Sequence, residues 1–320
     1  MKIIANGIQL EVEDSAAGPG QASGRPVVLL IMGLGMQLIA WPPAMVQGLV
    51  DAGFRVVHFD NRDIGLSQHF DQLGTPNLVW EGVKYRLGFR TRPPYTLQDM
   101  ANDAIGVLDA LHIDKAHVVG VSMGGMIAQR VALTAPARMH SLTSVMSSSG
   151  ARGLPAASAK VTRALFSRPA NKTLNAEIDH AVKLFTLIGS PGYPIEAHDL
   201  RARVVASTTR SYHPAGFVRQ MVAIVADTRR AKELAEVSVP TLVVHGRADP
   251  LVPFACSEDM ARRIPAAKLA GIDGMGHDLA PGVVGRLLPL LIAHFEANHL
   301  LPANPKSRIQ PDVQPNHEHA

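Results

Sequence analysis

A serine stands between glycines where an apolar run gives way to a helical pattern, in the stretch Gly120-Val121-Ser122-Met123-Gly124. The spacing fits G-x-S-x-G, which acquires meaning only with a strand before it and a helix after it. A tight strand-to-helix turn forces the serine into a strained conformation and demands small neighbours, which Gly120, Gly124 and Gly125 supply. A buried structural hydroxyl is the plain alternative. A nucleophile needs a base, because a serine hydroxyl is weak alone. In such a turn-borne site the partners follow in the order serine, acid, histidine. Asp249 lies just beyond the apolar run "PTLVVHG", and His277 lies in the Gly-rich loop of "LAGIDGMGHDLAP". Taken singly, Asp249 reads as a turn residue and His277 as one loop histidine among fourteen. Together with Ser122 they keep the required order, each after its own strand. Asp273 and Asp278 belong to the loop of His277, Glu258 and Asp259 to a helical stretch, and "HSLTSVMSSSG" holds no carboxylate. Asp249 is therefore the expected orienter.

Acyl transfer through Ser122 also needs N–H donors for a tetrahedral oxyanion. The backbone N–H of Met123 directly follows the nucleophile. A second donor is expected in "IMGLGMQ", where Gly33 and Gly35 let backbone approach a ligand. Leu34 is the expected donor and Met36 the alternative. An ordinary glycine turn is the competing reading of that loop.

The elements that must hold these residues are legible as punctuation. "IIANGIQLEVE" alternates apolar and polar around Asn6-Gly7 and reads as a hairpin with one solvated face. "PVVLLIM", "FRVVHFD", "AHVVGVS", "LTSVMS" and "PTLVVHG" are short continuous apolar runs, the mark of buried parallel strands. Helical patterns lie between them at 44–52, 97–111, 126–134 and 254–263, and "VVGRLLPLLIAHFEANH" closes the series. Strand and helix alternate, so the expected fold is α/β, a doubly wound and mostly parallel sheet with an antiparallel hairpin at its start. The alternation lapses over 150–236, which reads as a helical cap inserted between sheet strands. The core is then 1–149 with 237–300. Residues 301–320 are polar, Pro-rich and without periodicity, the composition of a disordered tail.

The 320 residues are 47% hydrophobic and 18% charged, with a net charge of +4, a normal globular balance. The densest basic patch, "YRLGFRTRPPY" from Tyr85 to Tyr95, reads as a solvated loop or cap edge. No nucleic-acid-binding motif accompanies it. Cys256 is the one cysteine, so no intrachain disulfide forms. The first residues lack a sustained apolar core of a signal peptide, and "VVLLIMGLGMQLIAW" is too short and Gly-rich to span a membrane. The expectation is a cytoplasmic protein that engages neither membrane nor nucleic acid, takes a small-molecule ester as substrate, and leaves room for a homo-oligomer. Soft apolar side chains are the expected specificity elements: Met36, Trp41, Phe185 and Met221 beside Gly33, with Met123, Phe166 and Leu184 as further contributors.

With these motifs placed, residues from about Lys2 to Asn298 resemble the α/β-hydrolase superfamily. "FDNRDIGLS" is similar to its D-x-R-G-x-G-x-S loop. The Asp at the first Gly position, together with "GMGHDLAP", resembles esterases of the aclacinomycin methylesterase type. The resemblance implies an esterase with a helical cap, without cofactor or metal. It also implies that Arg62 and Asp63 buttress the oxyanion loop. Two departures stand out. Met32-Gly33 replaces the His-Gly that opens this loop in many relatives, and Asp63 replaces a Gly. The expected activity is hydrolysis of hydrophobic, short- to medium-chain carboxylic esters through an acyl-enzyme. A C–C bond hydrolase, a perhydrolase and a slow-turnover ligand receptor share the same triad. Dehalogenases and epoxide hydrolases of this fold carry Asp where Ser122 stands.

Overall fold

The computed structural model describes residues 1–16, 24–87, 89, 91–167, 169–171 and 173–299. The tail read at 301–320 lies outside the described residues, as do 17–23 of the loop after the hairpin. Eight strands form one sheet: β1 Lys2–Ala5, β2 Ile8–Asp14, β3 Val27–Ile31, β4 Arg55–Phe59, β5 Ala116–Val121, β6 Met139–Val145, β7 Thr241–Gly246 and β8 Lys268–Ile272, in the order β1-β2-β4-β3-β5-β6-β7-β8. The β1–β2 hairpin and the β2–β4 pairing are antiparallel; every other neighbour pair is parallel. Asn6 and Gly7 turn the hairpin with positive φ, as their types permit.

Both faces of the parallel strands are covered, which explains their unbroken apolar sequence. Val27, Leu29 and Ile31 of β3 face one core, beneath α3 (Leu97–Ala110) and α4 (Met123–Thr134). Val28 and Leu30 face the other, beneath α1 (Pro43–Asp51) and α11 (Pro281–Asn298). Thr96 and Asp99 close the start of α3 as a reciprocal capping box. The parallel registers Ile31↔Gly120, Val121↔Val145, Val145↔Val244 and Gly246↔Ile272 bring the carboxyl ends of five strands to one edge. In an open α/β sheet this is the edge that carries ligand sites.

Between β6 and β7 the chain forms α5 (Ala159–Phe166), α6 (Leu174–Ile188), α7 (Ala197–Arg210), α8 (Pro214–Ala226) and the short α9 (Arg230–Glu233). No strand occurs there among the described residues. α10 (Ala255–Arg263) follows β7. Three elements differ from the sequence reading. α4 begins at Met123 rather than 126, because the serine turn enters it directly. A further helix, α2 (Leu78–Arg86), lies where the sequence reading placed no element, overlaps only the start of the patch read as loop, and packs on α8. Tyr95, taken as part of a solvated patch, is buried near Phe70 and the Arg62 guanidinium. Gly88 and Arg90 of that patch lie outside the described residues.

Candidate active site

Ser122 links β5 to α4 with φ 55° and ψ −118°, a region that side-chain-bearing residues seldom enter and that costs on the order of 1–3 kcal/mol. The surroundings hold it there. Its N–H donates to Val145 O at 2.9 Å, and its carbonyl accepts from Gly125 N at 3.0 Å and Ser147 Oγ at 2.7 Å. A Cβ on Gly120 would lie 2.1 Å from Gly124 O, and one on Gly124 would lie 2.0 Å from Ile31 O. Backbone crosses backbone at both positions, so neither tolerates a side chain.

The structure brings Ser122, His277 and Asp249 into one hydrogen-bonded line. Ser122 Oγ lies 3.0 Å from His277 Nε2, and His277 Nδ1 lies 2.6 Å from Asp249 Oδ2. The geometry suits a tautomer in which the serine hydroxyl donates to Nε2 and the Nδ1–H donates to the carboxylate. The other oxygen of Asp249 accepts the N–H groups of Leu251 (2.9 Å) and Val252 (2.8 Å). Burial alone would raise the Asp249 pKa; the charge of His277 and hydrogen bonds from His245 and His277 outweigh it and hold the carboxyl well below the usual range. Asp249 is thus an anion aimed at the imidazole.

The competing acids are engaged elsewhere. Asp259 accepts from Ser149 Oγ and Arg263 Nε, both at 2.6 Å. Asp273 meets Arg247 at the surface. Asp278 accepts from the hydroxyl of Ser190, just beyond α6. That contact fastens the histidine loop: Ser190 Oγ accepts Gly276 N–H at 2.8 Å, and His277 N–H donates to Ile188 O at 2.7 Å. The end of α6 therefore grips the backbone that carries the base, a connection with no local sequence signal.

The loop after β3 passes close to the serine; a Cβ on Gly33 would lie 3.2 Å from Ser122 Cβ. The N–H of Met36 donates to Gly33 O at 3.2 Å and is occupied. The N–H of Leu34 finds no acceptor among the described residues. Met123 is the first residue of α4, where an N–H has no intrahelical acceptor. Leu34 and Met123 thus keep the free donors.

The buttress of this loop differs from the one the resemblance implies. Asn61 Nδ2 donates to Met32 O at 2.9 Å, Leu38 N–H donates to Asp60 Oδ1 at 2.6 Å, and Gly35 N–H donates to Gln220 Oε1 at 2.9 Å. Gln220 Nε2 in turn donates to Arg62 O at 3.0 Å. Asp60, Asn61 and Gln220 therefore stand in for the missing histidine. The Arg62 guanidinium instead grips Asp103 of α3, and the Asp63 carboxylate accepts two bonds from Arg219 of α8. Their side chains fasten neighbouring helices; the link to the loop runs through the backbone carbonyl of Arg62, by way of Gln220, and through α8, which Asp63 anchors. Phe217 of α8 also packs against Gly35, where any Cβ would meet its ring at 2.7 Å.

The residues expected to line the pocket separate. Met36, Phe185, Leu184 and Met221 are half-buried. Trp41 is buried in the core beside α1 and α11, and the Met123 side chain is fully buried under the sheet, so neither reads as a lining residue. Phe166 is exposed. Phe217 and Gln220 were missed because an amphipathic helix gives no sign of which tertiary partner its face meets. Among the described residues no group of metal-ligating side chains surrounds Ser122; the one close set pairs His69 and Asp71, after β4, with His213, at the start of α8. Among the described residues no helix is long and apolar enough to cross a membrane.

Fold and site together define a hydrolase. A family model described as alpha/beta hydrolase fold matches residues 26–280, and the chain belongs to that family. It is similar to rhodomycin D methylesterase DnrP of Streptomyces peucetius, 29% identical over 307 residues that cover 90% of this chain and 96% of the relative. It is also similar to a putative carbamate hydrolase, RutD, of Caulobacter sp. (strain K31), 30% identical over 265 residues, or 81% and 86% of the two chains. Among solved structures, the meta-cleavage product hydrolase CumD of Pseudomonas fluorescens IP01 aligns with a TM-score of 0.71 at 21% identity, over 93% and 98% of the chains. That last likeness speaks to the fold.

Proposed function

We propose that the protein is a serine carboxylesterase acting on hydrophobic, short- to medium-chain carboxylic esters. The observation that carries this reading is the Ser122–His277–Asp249 line, at 3.0 and 2.6 Å, on the ligand-bearing edge of the sheet. Ser122 Oγ attacks the ester carbonyl carbon while His277 Nε2 takes its proton. Asp249 fixes the imidazole tautomer and stabilises the imidazolium. The N–H groups of Leu34 and Met123 receive the oxyanion. His277 then protonates the departing alkoxide, and water repeats the sequence on the acyl-enzyme to release the acid.

The helices of 150–236, joined by α2, act as a cap, with Met36, Phe185, Met221 and Phe217 shaping the acyl site above Gly33. Methionines suit a site that accepts varied shapes. The methylesterase names of the relatives in Streptomyces support small alcohols as leaving groups. The single, buried Cys256 fits a reducing, cytoplasmic setting.

The test is a panel of p-nitrophenyl and methyl esters of graded acyl size, run on wild type and Ser122→Ala beside a fluorophosphonate label. Wild type should hydrolyse p-nitrophenyl butyrate and take the label. Ser122→Ala should lose at least about 10³-fold in kcat/KM and all labelling. Retained hydrolysis by the alanine variant overturns the assignment. Turnover of a vinylogous diketone in preference to every ester would replace it with C–C bond hydrolysis.

A further inference from the structure

A second imidazole stands beside the acid of the triad. His245 lies on β7, four residues before Asp249, and is fully buried. Its Nε2 lies 3.2 Å from Asp249 Oδ2, the oxygen that also takes His277 Nδ1 at 2.6 Å. The same Nε2 lies 2.7 Å from Val252 O. In the sequence this histidine is hidden inside the apolar run "PTLVVHG", where it reads as one more strand residue.

The partners of the ring decide where its hydrogen sits. A backbone carbonyl and an ionised carboxylate only accept, so Nε2 carries a hydrogen whatever the charge of the ring. In the neutral ring Nδ1 keeps a lone pair, and the Ser257 hydroxyl of α10 lies within hydrogen-bond distance to donate to it. Ser147 O, the other acceptor near that hydroxyl, is further off at 3.4 Å. Both ring nitrogens are thus engaged, and the Nε2–H faces the triad.

Asp249 is held at both oxygens. Oδ1 accepts the N–H groups of Leu251 and Val252 at 2.9 and 2.8 Å, while Oδ2 faces His277 and His245. These N–H groups match the roughly four lone-pair sites of a carboxylate. Val252 closes the arrangement, since its N–H donates to Oδ1 and its carbonyl accepts from His245. Any rotation of the carboxylate breaks contacts at both oxygens at once.

We propose that His245 is a positioning residue of the active site, acting through Asp249 to hold the carboxylate in the orientation that meets His277 Nδ1. Without it, Oδ2 keeps a partner on one side alone, and the acid can swing away from the imidazole as the proton moves. The inference rests on the esterase reading only as far as Ser122 is the nucleophile and Asp249 the orienter. Any reaction run by the same triad needs the same orientation.

Two amide substitutions separate the two ring nitrogens. Glutamine can carry an N–H to the place of Nε2. Asparagine ends near the place of Nδ1, keeps a partner for Ser257 and falls short of Asp249. The readouts, on the full chain, are the rate of fluorophosphonate labelling, kcat and KM for p-nitrophenyl butyrate, and Tm. His245→Asn should lower the labelling rate and kcat by about 10–100-fold with KM changed little, and His245→Gln should recover most of that loss. The same His245→Asn change made on top of Asp249→Asn should cost less than about threefold, because the carboxylate it acts through is gone. A role in folding alone would lower Tm and cost the same factor in both backgrounds, and that result overturns the proposal. So does a His245→Asn labelling rate within about threefold of wild type. Labelling without ester turnover would overturn the esterase reading, and the labelling rates would still decide the role of His245. A wild type that takes no label overturns both.

Discussion

Gln220 hydrogen-bonds α8 to the loop holding the proposed oxyanion donor, and replacing it with leucine tests whether that buttress sets the rate. Gln220 is fully buried. Its loss leaves the N–H of Gly35 and the carbonyl of Arg62 without the partners they now hold at 2.9 and 3.0 Å. Leucine matches the glutamine closely in volume, so cavity formation adds little. An unmet buried polar group costs about 1–3 kcal/mol. Two such groups, partly relaxed, give a loss of about 2–4 kcal/mol. For a chain of this length that lowers Tm by about 3–6 °C. The catalytic effect comes from Leu34, the residue before Gly35. Deleting an oxyanion donor outright costs about 10²–10³ in kcat. A donor still present but loosely placed should cost less, about 10–100-fold, with KM changed little. The assay is steady-state hydrolysis of p-nitrophenyl butyrate at 25 °C, with Tm measured on the same samples. Leu108→Ala supplies the control, since Leu108 is fully buried beneath the sheet and takes no part in the loop. It should lower Tm by a similar amount and leave kcat near wild type. The reasoning fails if Gln220→Leu keeps kcat within about threefold of wild type, or if Leu108→Ala loses as much.

Gly124→Ala should fold poorly or lose more than about 3 kcal/mol in urea denaturation, because its Cβ would sit 2.0 Å from Ile31 O, backbone that cannot swing away. Asp249→Asn should lower kcat by roughly 10³–10⁴-fold by favouring the wrong imidazole tautomer, and a loss under tenfold would move the orienting role elsewhere. Stability should fall as pH drops from about 6.5 towards 4. Burial lowers the His58 pKa to about 4 against an opposing pull from Asp60, and burial with the neighbouring histidines lowers that of His117 to about 3. The unfolded chain then binds protons that the folded chain refuses, so stability is full above the unfolded value and lost below it. His58 alone accounts for about 3 kcal/mol across that interval. Urea midpoints at pH 7.5 and 5.0 check this, and His58→Gln should flatten the difference.

What could be read from the sequence is what local chemistry dictates. Ser122, Asp249 and His277 each follow a strand, and each carries its own punctuation: glycines at a sharp turn, "ADP" after an apolar run, glycines ahead of the histidine. The glycines on either side of Leu34 give the same kind of local signal for the proposed donor. The features that stayed hidden depend on partners distant in the chain. Gln220 meets Gly35 from 185 residues away and looks like any polar residue on a helix. α2 was unreadable because "LVWEGVKYR" has no apolar face, and Val79 and Trp80 stand exposed. β8 carries a weak signal because "KLAGI" is an edge strand with only Ile272 buried.

Asp63 shows how one position can be half legible. The pattern it departs from has glycine there, and the reason is visible in its φ of 71°, a conformation glycine enters freely and aspartate enters more readily than most residues. Sequence alone marks only the departure. In the fold the carboxylate accepts both Arg219 bonds and the Phe70 N–H at 2.8 Å, while a fully buried guanidinium has few other ways to be neutralised. The substitution therefore turns a position that served the turn into an anchor for α8. The same helix carries Phe217 over Gly35 and Gln220 against its N–H. In this chain the loop proposed to receive the oxyanion is thus held by α8 as well as from the sheet, and the strain at Asp63 is offset by the helix that it ties down.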